Sequence, residues 1–228
     1  VQSPALRILV EREREIQAFI PEDYWVLTAA LKTTDKHTLS MTCVEEPRDI
    51  KEVARILEAA RKSDWYVKEV KASEQKRSPR APFTTSTLQQ AASTRFGFSP
   101  SRTMQVAQKL YEAGHISYMR TDSTTLSAAA IASISKTIEK TYGKEMLEVR
   151  TYKTKSKNAQ EAHEAIRPTD PMRTPEDLTD RTEEEVRLYR LIWQRTIASQ
   201  MPEARFLQSR IDVKASGKQD YIFRATGR

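Results

Sequence analysis

The stretch Tyr111-Glu112-Ala113-Gly114-His115-Ile116-Ser117-Tyr118-Met119-Arg120-Thr121-Asp122-Ser123-Thr124 joins two different patterns. Its first residues close a helical run from Ser101 to Ala113, which Gly114 can terminate. Beyond the glycine, β-branched and aromatic residues predict extended backbone from Ile116 to Arg120. Alternate residues of an extended segment face the same way, so Tyr118, Arg120 and, with continued extension, Asp122 share one face. A phenol with an ordinary pKa of about 10 attacks poorly at neutral pH. A fixed guanidinium beside it can lower that pKa and stabilise a phosphoryl transition state. The pair therefore suits attack on a phosphodiester. Taken alone, such a pair is more often a packed aromatic with an exposed partner, and the wider sequence has to tip the balance.

Working outward, the chain of 228 residues is long enough for one large domain or two ordinary ones. An apolar fraction of 38% beside 30% charged residues fits a well-solvated surface, and only 5 glycines argue against a loop-dominated fold. The excess of 38 Lys and Arg over 31 Asp and Glu, +7, permits attraction to a polyanion without requiring one. Cys43 is the single cysteine, which excludes an internal disulfide and a thiolate zinc cluster. No apolar run approaches the roughly 20 residues that cross a bilayer, and no signal-peptide pattern opens the chain, so a cytoplasmic location and no membrane partner are expected. Val1 at the start and Thr226-Gly227-Arg228 at the end make the chain look excised from something longer.

A first helix is expected from Leu6 to Ala18. Strands Tyr24 to Ala30 and Thr38 to Val44 flank the turn Thr33-Thr34-Asp35-Lys36, a hairpin pattern. Asp49 can cap a helix from Ile50 to Lys62, with Trp65 to Val70 returning as a strand. Ser73 to Pro82 buries almost nothing and reads as a connector. Ser86 and Gln89 form a capping-box pattern before the helix Leu88 to Arg95. Ser127 can start a helix running towards Tyr142, and Asn158 to Ile166 reads as a short helix stopped by Pro168. Thr182 and Glu185 open a long helix burying Val186, Tyr189, Ile192, Trp193 and Ile197. Strand patterns resume at Phe206 to Val213 and Tyr221 to Arg224. The economical account is a β-rich domain, 19–78 plus 203–228, interrupted by an inserted, mostly helical domain, 79–202, with residues 1–18 a helix apart. The fold class is multidomain α+β.

The Tyr111–Thr124 string closely resembles the active-site segment of type IA DNA topoisomerases. The resemblance recurs, in family order, at Val1-Gln2-Ser3-Pro4-Ala5-Leu6, at Val10 to Ile16, at Ala81-Pro82-Phe83-Thr84-Thr85-Ser86-Thr87-Leu88-Gln89-Gln90-Ala91-Ala92-Ser93, and at Glu161-Ala162-His163-Glu164-Ala165-Ile166-Arg167-Pro168-Thr169. Met119 and Thr124 look more like bacterial topoisomerase I than topoisomerase III. The resemblance implies the central region of such an enzyme: a β-rich arch carrying a helical domain that swings aside to admit a strand, with residues 1–18 an orphan helix of the DNA-binding base domain. It implies that Tyr118 is the nucleophile, cleaving one DNA strand through a 5′-phosphotyrosyl intermediate. Strand passage and religation would then relax negative supercoils without ATP.

Arg120 would stabilise the phosphate in the transition state. On the expected helix, His163 and Arg167 stand four apart with Gln160 one turn earlier, a spacing that can hold one phosphate. The resemblance makes His163 a phosphate contact, while Arg167 either binds DNA or caps a helix end before Pro168. Gln2 and Ser3 match a motif that touches the single strand near the cleavage site. Thr121 can touch phosphate or close a turn, and Asp122 reads better as a helix cap than as a base or metal ligand. Arg7, Arg12 and Arg14, interleaved with Glu11, Glu13 and Glu15, read as a solvated helix face. His115 and His37 receive no role.

In this family Mg2+ is held by a separate Toprim domain, for which no segment matches here. No metal ligand is assigned, and the chain alone is expected to be inactive without the Toprim and base domains of its own polypeptide. Two rivals stand beside this reading. A metal-independent tyrosine recombinase or type IB-like enzyme also combines tyrosine, arginine and histidine, but bonds to a 3′-phosphate. A non-catalytic single-stranded nucleic-acid-binding scaffold would use Tyr118 only to stack on a base.

Overall fold

The computed structural model describes residues 2–152, 164–216 and 220–228. It divides into two compact units, one formed by Val1–Gln75 with Phe206–Arg228, the other by Lys76–Arg205. Helices and an antiparallel sheet together make the fold α+β. Among the described residues no helix is long and apolar enough to cross a membrane.

The first unit opens with α1 (Gln2–Ala18), none of whose residues is buried. A sheet follows, in the order β1-β2-β5-β4-β3, from β1 (Thr28–Lys32), β2 (Thr38–Cys43), β3 (Asp64–Arg77), β4 (Ala204–Ser216) and β5 (Tyr221–Gly227). The turn between β1 and β2 places Lys36 at φ 63°, the left-handed region a hairpin reversal demands. The helix α2 (Ile50–Lys62), capped by Asp49 as its position predicts, lays Val53 and Ile56 against Met41, Cys43, Val213 and Phe223. Trp65 meets Phe223 edge to face at 4.9 Å. Asp212 faces Arg224 in the β4–β5 register and accepts its guanidinium at 2.8 and 2.9 Å.

Several element boundaries differ from expectation, β3 most of all. The first strand starts at Thr28 rather than Tyr24, and β3 runs through Ser73–Arg77, the segment expected to be a connector. An edge strand satisfies its backbone on one side only and β3 is exposed at nearly every position, so no buried face leaves a trace in its sequence.

The second unit is helical: α3 (Thr85–Phe96), α4 (Pro100–Glu112), α5 (Ala128–Tyr142) and α6 (Glu183–Ser199). α6 lies at its centre, burying Leu188, Tyr189, Leu191, Ile192, Trp193, Thr196 and Ile197. Its Tyr189 hydroxyl donates to the Arg173 carbonyl at 2.8 Å and its Trp193 indole to the Pro171 carbonyl at 2.9 Å, which pins the loop before it. The capping box of α6 pairs Thr182 with Glu185, as expected. That of α3 is Thr84 with Thr87, not Ser86 with Gln89, because Thr84 is the residue held in extended backbone. The expected helix Asn158–Ile166 falls largely outside the described residues. Its described end, 164–166, is not helical, and Ile166 forms a bridge with Phe83.

Candidate active site

The segment that carries Tyr118 begins where α4 stops. Gly114, at φ 75°, supplies the left-handed residue of a helix end in which its N–H donates to the Tyr111 carbonyl and the His115 N–H to that of Leu110, both at 2.8 Å. From there the chain is irregular, not the strand expected for Ile116–Arg120. Only Ile116 makes a bridge, to Pro168. The alternation survives without the strand. Tyr118, Arg120 and Asp122 are exposed, while Met119, Thr121 and Ser123 are buried at 1%, 7% and 3%.

Two clamps hold the backbone on either side of Tyr118. Upstream, Ser117 N–H donates to the Arg167 carbonyl and Ser117 Oγ to the Ala165 carbonyl, both at 2.8 Å, and Arg167 N–H returns to Ser117 Oγ at 3.0 Å. Thr169 N–H adds a bond to the His115 carbonyl at 3.0 Å. Downstream, the first residue of α3 does the work. Thr85 N–H donates to the Thr121 carbonyl at 2.9 Å, its hydroxyl reaches the Met119 carbonyl at 2.7 Å, and Thr121 N–H donates back to that hydroxyl at 2.9 Å. Ile116 and Met119, each 1% exposed, anchor the same span in the core. Tyr118 itself stays 45% exposed, its ring edge-on to Tyr111 at 5.2 Å. A phenol is thus presented to solvent on a backbone that cannot readily shift.

Arg120 lines an adjoining groove with Gln105, Gln108 and Lys109 of α4. Arg167 is already engaged: its Nε and Nη2 donate to Glu164 Oε2 at 3.0 and 2.6 Å, and Nη1 donates to the Pro168 carbonyl at 3.1 Å. The other oxygen of Glu164 accepts from the N–H of Ser127, the cap of α5, at 2.7 Å. Burial pushes the Glu164 carboxyl up, but hydrogen bonds from Ser127 and Arg167 outweigh it and hold the pKa below the usual value. Glu164 was not singled out from the sequence, although its place three residues before an arginine was a signal.

Thr121 closes a turn, its hydroxyl accepting from Ser123 N–H at 3.0 Å. Asp122 caps nothing expected of it, because α5 begins six residues later behind Ser127. His163 lies outside the described residues. Gln2 and Ser3 open α1 in the other unit and are exposed. His115, given no role by sequence, is buried under the segment with Arg173 Nη1 at 3.2 Å from its Nδ1 and Tyr189 edge-on. Burial first, then the charges of Arg173 and Arg181, push its pKa below the ordinary histidine value. Among the described residues no group of three or more His, Cys, Asp or Glu is placed to hold a metal ion.

A family model described as DNA topoisomerase matches residues 1–228. The chain belongs to the type IA DNA topoisomerases. It is 43% identical to DNA topoisomerase 1 of Haemophilus influenzae, over all of this chain and 27% of that protein. It is 42% identical to that of Xylella fastidiosa, over all of this chain and 30% of the relative. Its fold matches full-length topoisomerase I of Thermotoga maritima with a TM-score of 0.78 at 33% identity, covering 99% of this chain and 37% of that one. The topoisomerase chain thus spans about a quarter to a third of the curated relatives it matches.

Proposed function

We propose that this chain carries the DNA-cleaving tyrosine of a type IA topoisomerase, and that Tyr118 Oη attacks a phosphodiester phosphorus in a single DNA strand. The Tyr118 O–P bond forms, the P–O3′ bond breaks, and the tyrosine proton ends on the departing 3′ oxygen. A 5′-phosphotyrosyl link and a 3′-hydroxyl result, and religation is the reverse. The reading rests on one observation: a half-exposed phenol between two backbone clamps. A fixed nucleophile lowers the entropic part of the barrier, which an unpinned tyrosine on a loop would not.

Arg120, exposed two residues further on, is proposed to stabilise charge on the phosphate. His163 is proposed as a second phosphate contact, and Gln2 and Ser3 as contacts to the single strand. Thr121 and Arg167 are proposed to serve the strand by holding the Tyr118 segment, their backbone groups standing in the clamps while their side chains engage Ser123 N–H and Glu164. The described residues do not fit Mg2+, so no step is routed through a metal in this chain. The ion is proposed to be held elsewhere in the full-length enzyme, which makes this chain inactive alone. The same reading proposes strand passage that relaxes negative supercoils without ATP, in the cytoplasm.

The test is a hybrid in which this chain replaces the span it matches in the Haemophilus influenzae enzyme, incubated with single-stranded DNA and Mg2+, denatured and mapped by mass spectrometry. A 5′-phosphate on Tyr118, lost in Tyr118→Phe together with plasmid relaxation, is the expected result. A 3′-phosphate adduct would move the chain to the recombinase and type IB class. Intact DNA binding with no adduct would leave a non-catalytic scaffold.

A further inference from the structure

Away from the clamps, the helical unit holds a concentration of positive charge that the cleavage chemistry does not use. Two cavities, of about 620 and 440 Å3, open side by side and share Arg80, Arg95 and Arg195 in their walls. The spacing of the other wall residues shows how they are built. Thr87, Gln90, Ala91, Thr94 and Arg95 form one face of α3, and Leu191, Gln194, Arg195 and Ala198 one face of α6. The chain from Ser78 to Pro82 crosses between them and contributes Arg80.

Like charges do not gather at a surface without cost, and here little offsets them. Among the described residues Arg80, Arg95 and Arg195 have no ion pair. The single carboxylate in either wall, Glu203, accepts the Ser78 hydroxyl at 2.5 Å. Arg195 is half-buried and fixed: its guanidinium stacks over the Phe83 ring at 4.2 Å and Nη1 donates to the Ala81 carbonyl at 3.3 Å. Burial, followed by the charges of Arg80 and Arg95, presses its pKa below the ordinary guanidinium value, yet an arginine stays charged. A preorganised cation flanked by two exposed ones and by threonine and glutamine side chains is the chemistry that phosphate contacts use. The walls offer no aromatic platform for a base, so the contact would be to backbone and indifferent to sequence.

We propose that Arg80, Arg95 and Arg195, in the groove between α3 and α6, bind the phosphate backbone of a single DNA strand. The proposal rests on the reading of this chain as one that acts on single-stranded DNA. Thr124 in the wall of the smaller cavity joins the groove to the end of the reactive segment, so a strand lying in it runs beside the segment that carries Tyr118.

The test measures binding of an oligothymidylate about ten nucleotides long to the 228-residue chain as a function of salt. The double variant Arg80→Gln, Arg95→Gln alters two exposed side chains and is expected to melt at the temperature of the unsubstituted chain. Each phosphate contact on a single strand contributes a salt slope of about 0.7, so the variant is expected to lose about 1.4 of slope and about tenfold or more in affinity at low salt. A matched charge change in the other unit, Arg61→Gln with Lys71→Gln, is expected to leave the slope unchanged. Equal loss in that control, or an unchanged slope in the Arg80 and Arg95 variant, overturns the groove and leaves the Tyr118 reading standing. Inorganic phosphate competing as well as the oligonucleotide would overturn the strand in favour of a free anion. An unsubstituted chain that binds no DNA would sink the groove, whereas the adduct experiment in the hybrid enzyme reports on the Tyr118 reading alone.

Discussion

At the scale of single residues, the environment of His115 shows what the reactive segment rests on. The ring is buried, Arg173 occupies its Nδ1, and no partner among the described residues meets its Nε2, so the neutral form is the one the fold accepts. The unfolded chain protonates this histidine at an ordinary pKa near 6.5. Below that value the unfolded state binds more protons than the folded one, and stability falls with falling pH. The urea midpoint of the native chain should therefore be lower at pH 5 than at pH 7, and His115→Gln should lose that share of the difference. An identical pH dependence in the variant would mean that the folded ring takes up its proton freely. The sequence made Tyr118, Arg120 and Asp122 legible as one exposed set, because alternation needs only neighbouring residues. It could not make His115 legible, since its burial is created by Tyr189, 74 positions on, and by a loop that α6 pins. The partner of Arg167 was hidden in the same way. The arginine's charge was visible, but the carboxylate of Glu164 that takes it was read as part of a helix.

At the scale of elements, α3 is the part that converts a helix start into a support for the Tyr118 segment. Thr85 is the first helical residue, where backbone N–H groups have no partner inside the helix, and it directs both N–H and hydroxyl to the irregular chain around Met119 and Thr121. Replacing Thr85 with Val keeps the shape and removes the hydroxyl, leaving the N–H of buried Thr121 without its acceptor. The expected cost is about 1–3 kcal/mol of stability by urea unfolding, with Thr85→Ser recovering most of it. In the hybrid enzyme the same valine should slow cleavage more than it weakens DNA binding, because the clamp downstream of Tyr118 is then left with the Thr85 N–H bond alone. Equal effects on both would place Thr85 in binding rather than in positioning. Helices were the legible elements: caps at Asp49, Ser127 and Thr182 were read correctly because capping chemistry is local. Misreading Ser86 for Thr84 shows the limit, since in a run of threonine and serine the choice depends on where the backbone enters, which Thr121 decides from a distance. β3 was legible only in part, having no buried face to mark its length.

At the scale of the whole molecule, the chain leaves one compact unit at Gln75 and re-enters it at Phe206. The helical unit between carries its own core, from Phe83 to Ile197, and its first and last segments are tied by the bond from Ser78 to Glu203. A segment with a complete core and joined ends has what independent folding requires. Residues 76–205 expressed alone should therefore unfold cooperatively, and Trp193, the one tryptophan among them, reports on it directly because it is buried against α6's neighbours. Blue-shifted emission and a single urea transition, at nearly the midpoint that Trp193 shows in the whole chain, are expected. In the intact chain Trp25 and Trp65 belong to the other unit, so a two-state description should fail when the tryptophans are followed separately. A piece that folds only in the presence of the sheet, or a whole chain in which all three tryptophans melt together, would show that the units share their stability. The separation bears on function. A helical unit that keeps its fold on its own carries Tyr118 and both of its clamps as one piece, because every residue of those clamps lies between Lys76 and Arg205.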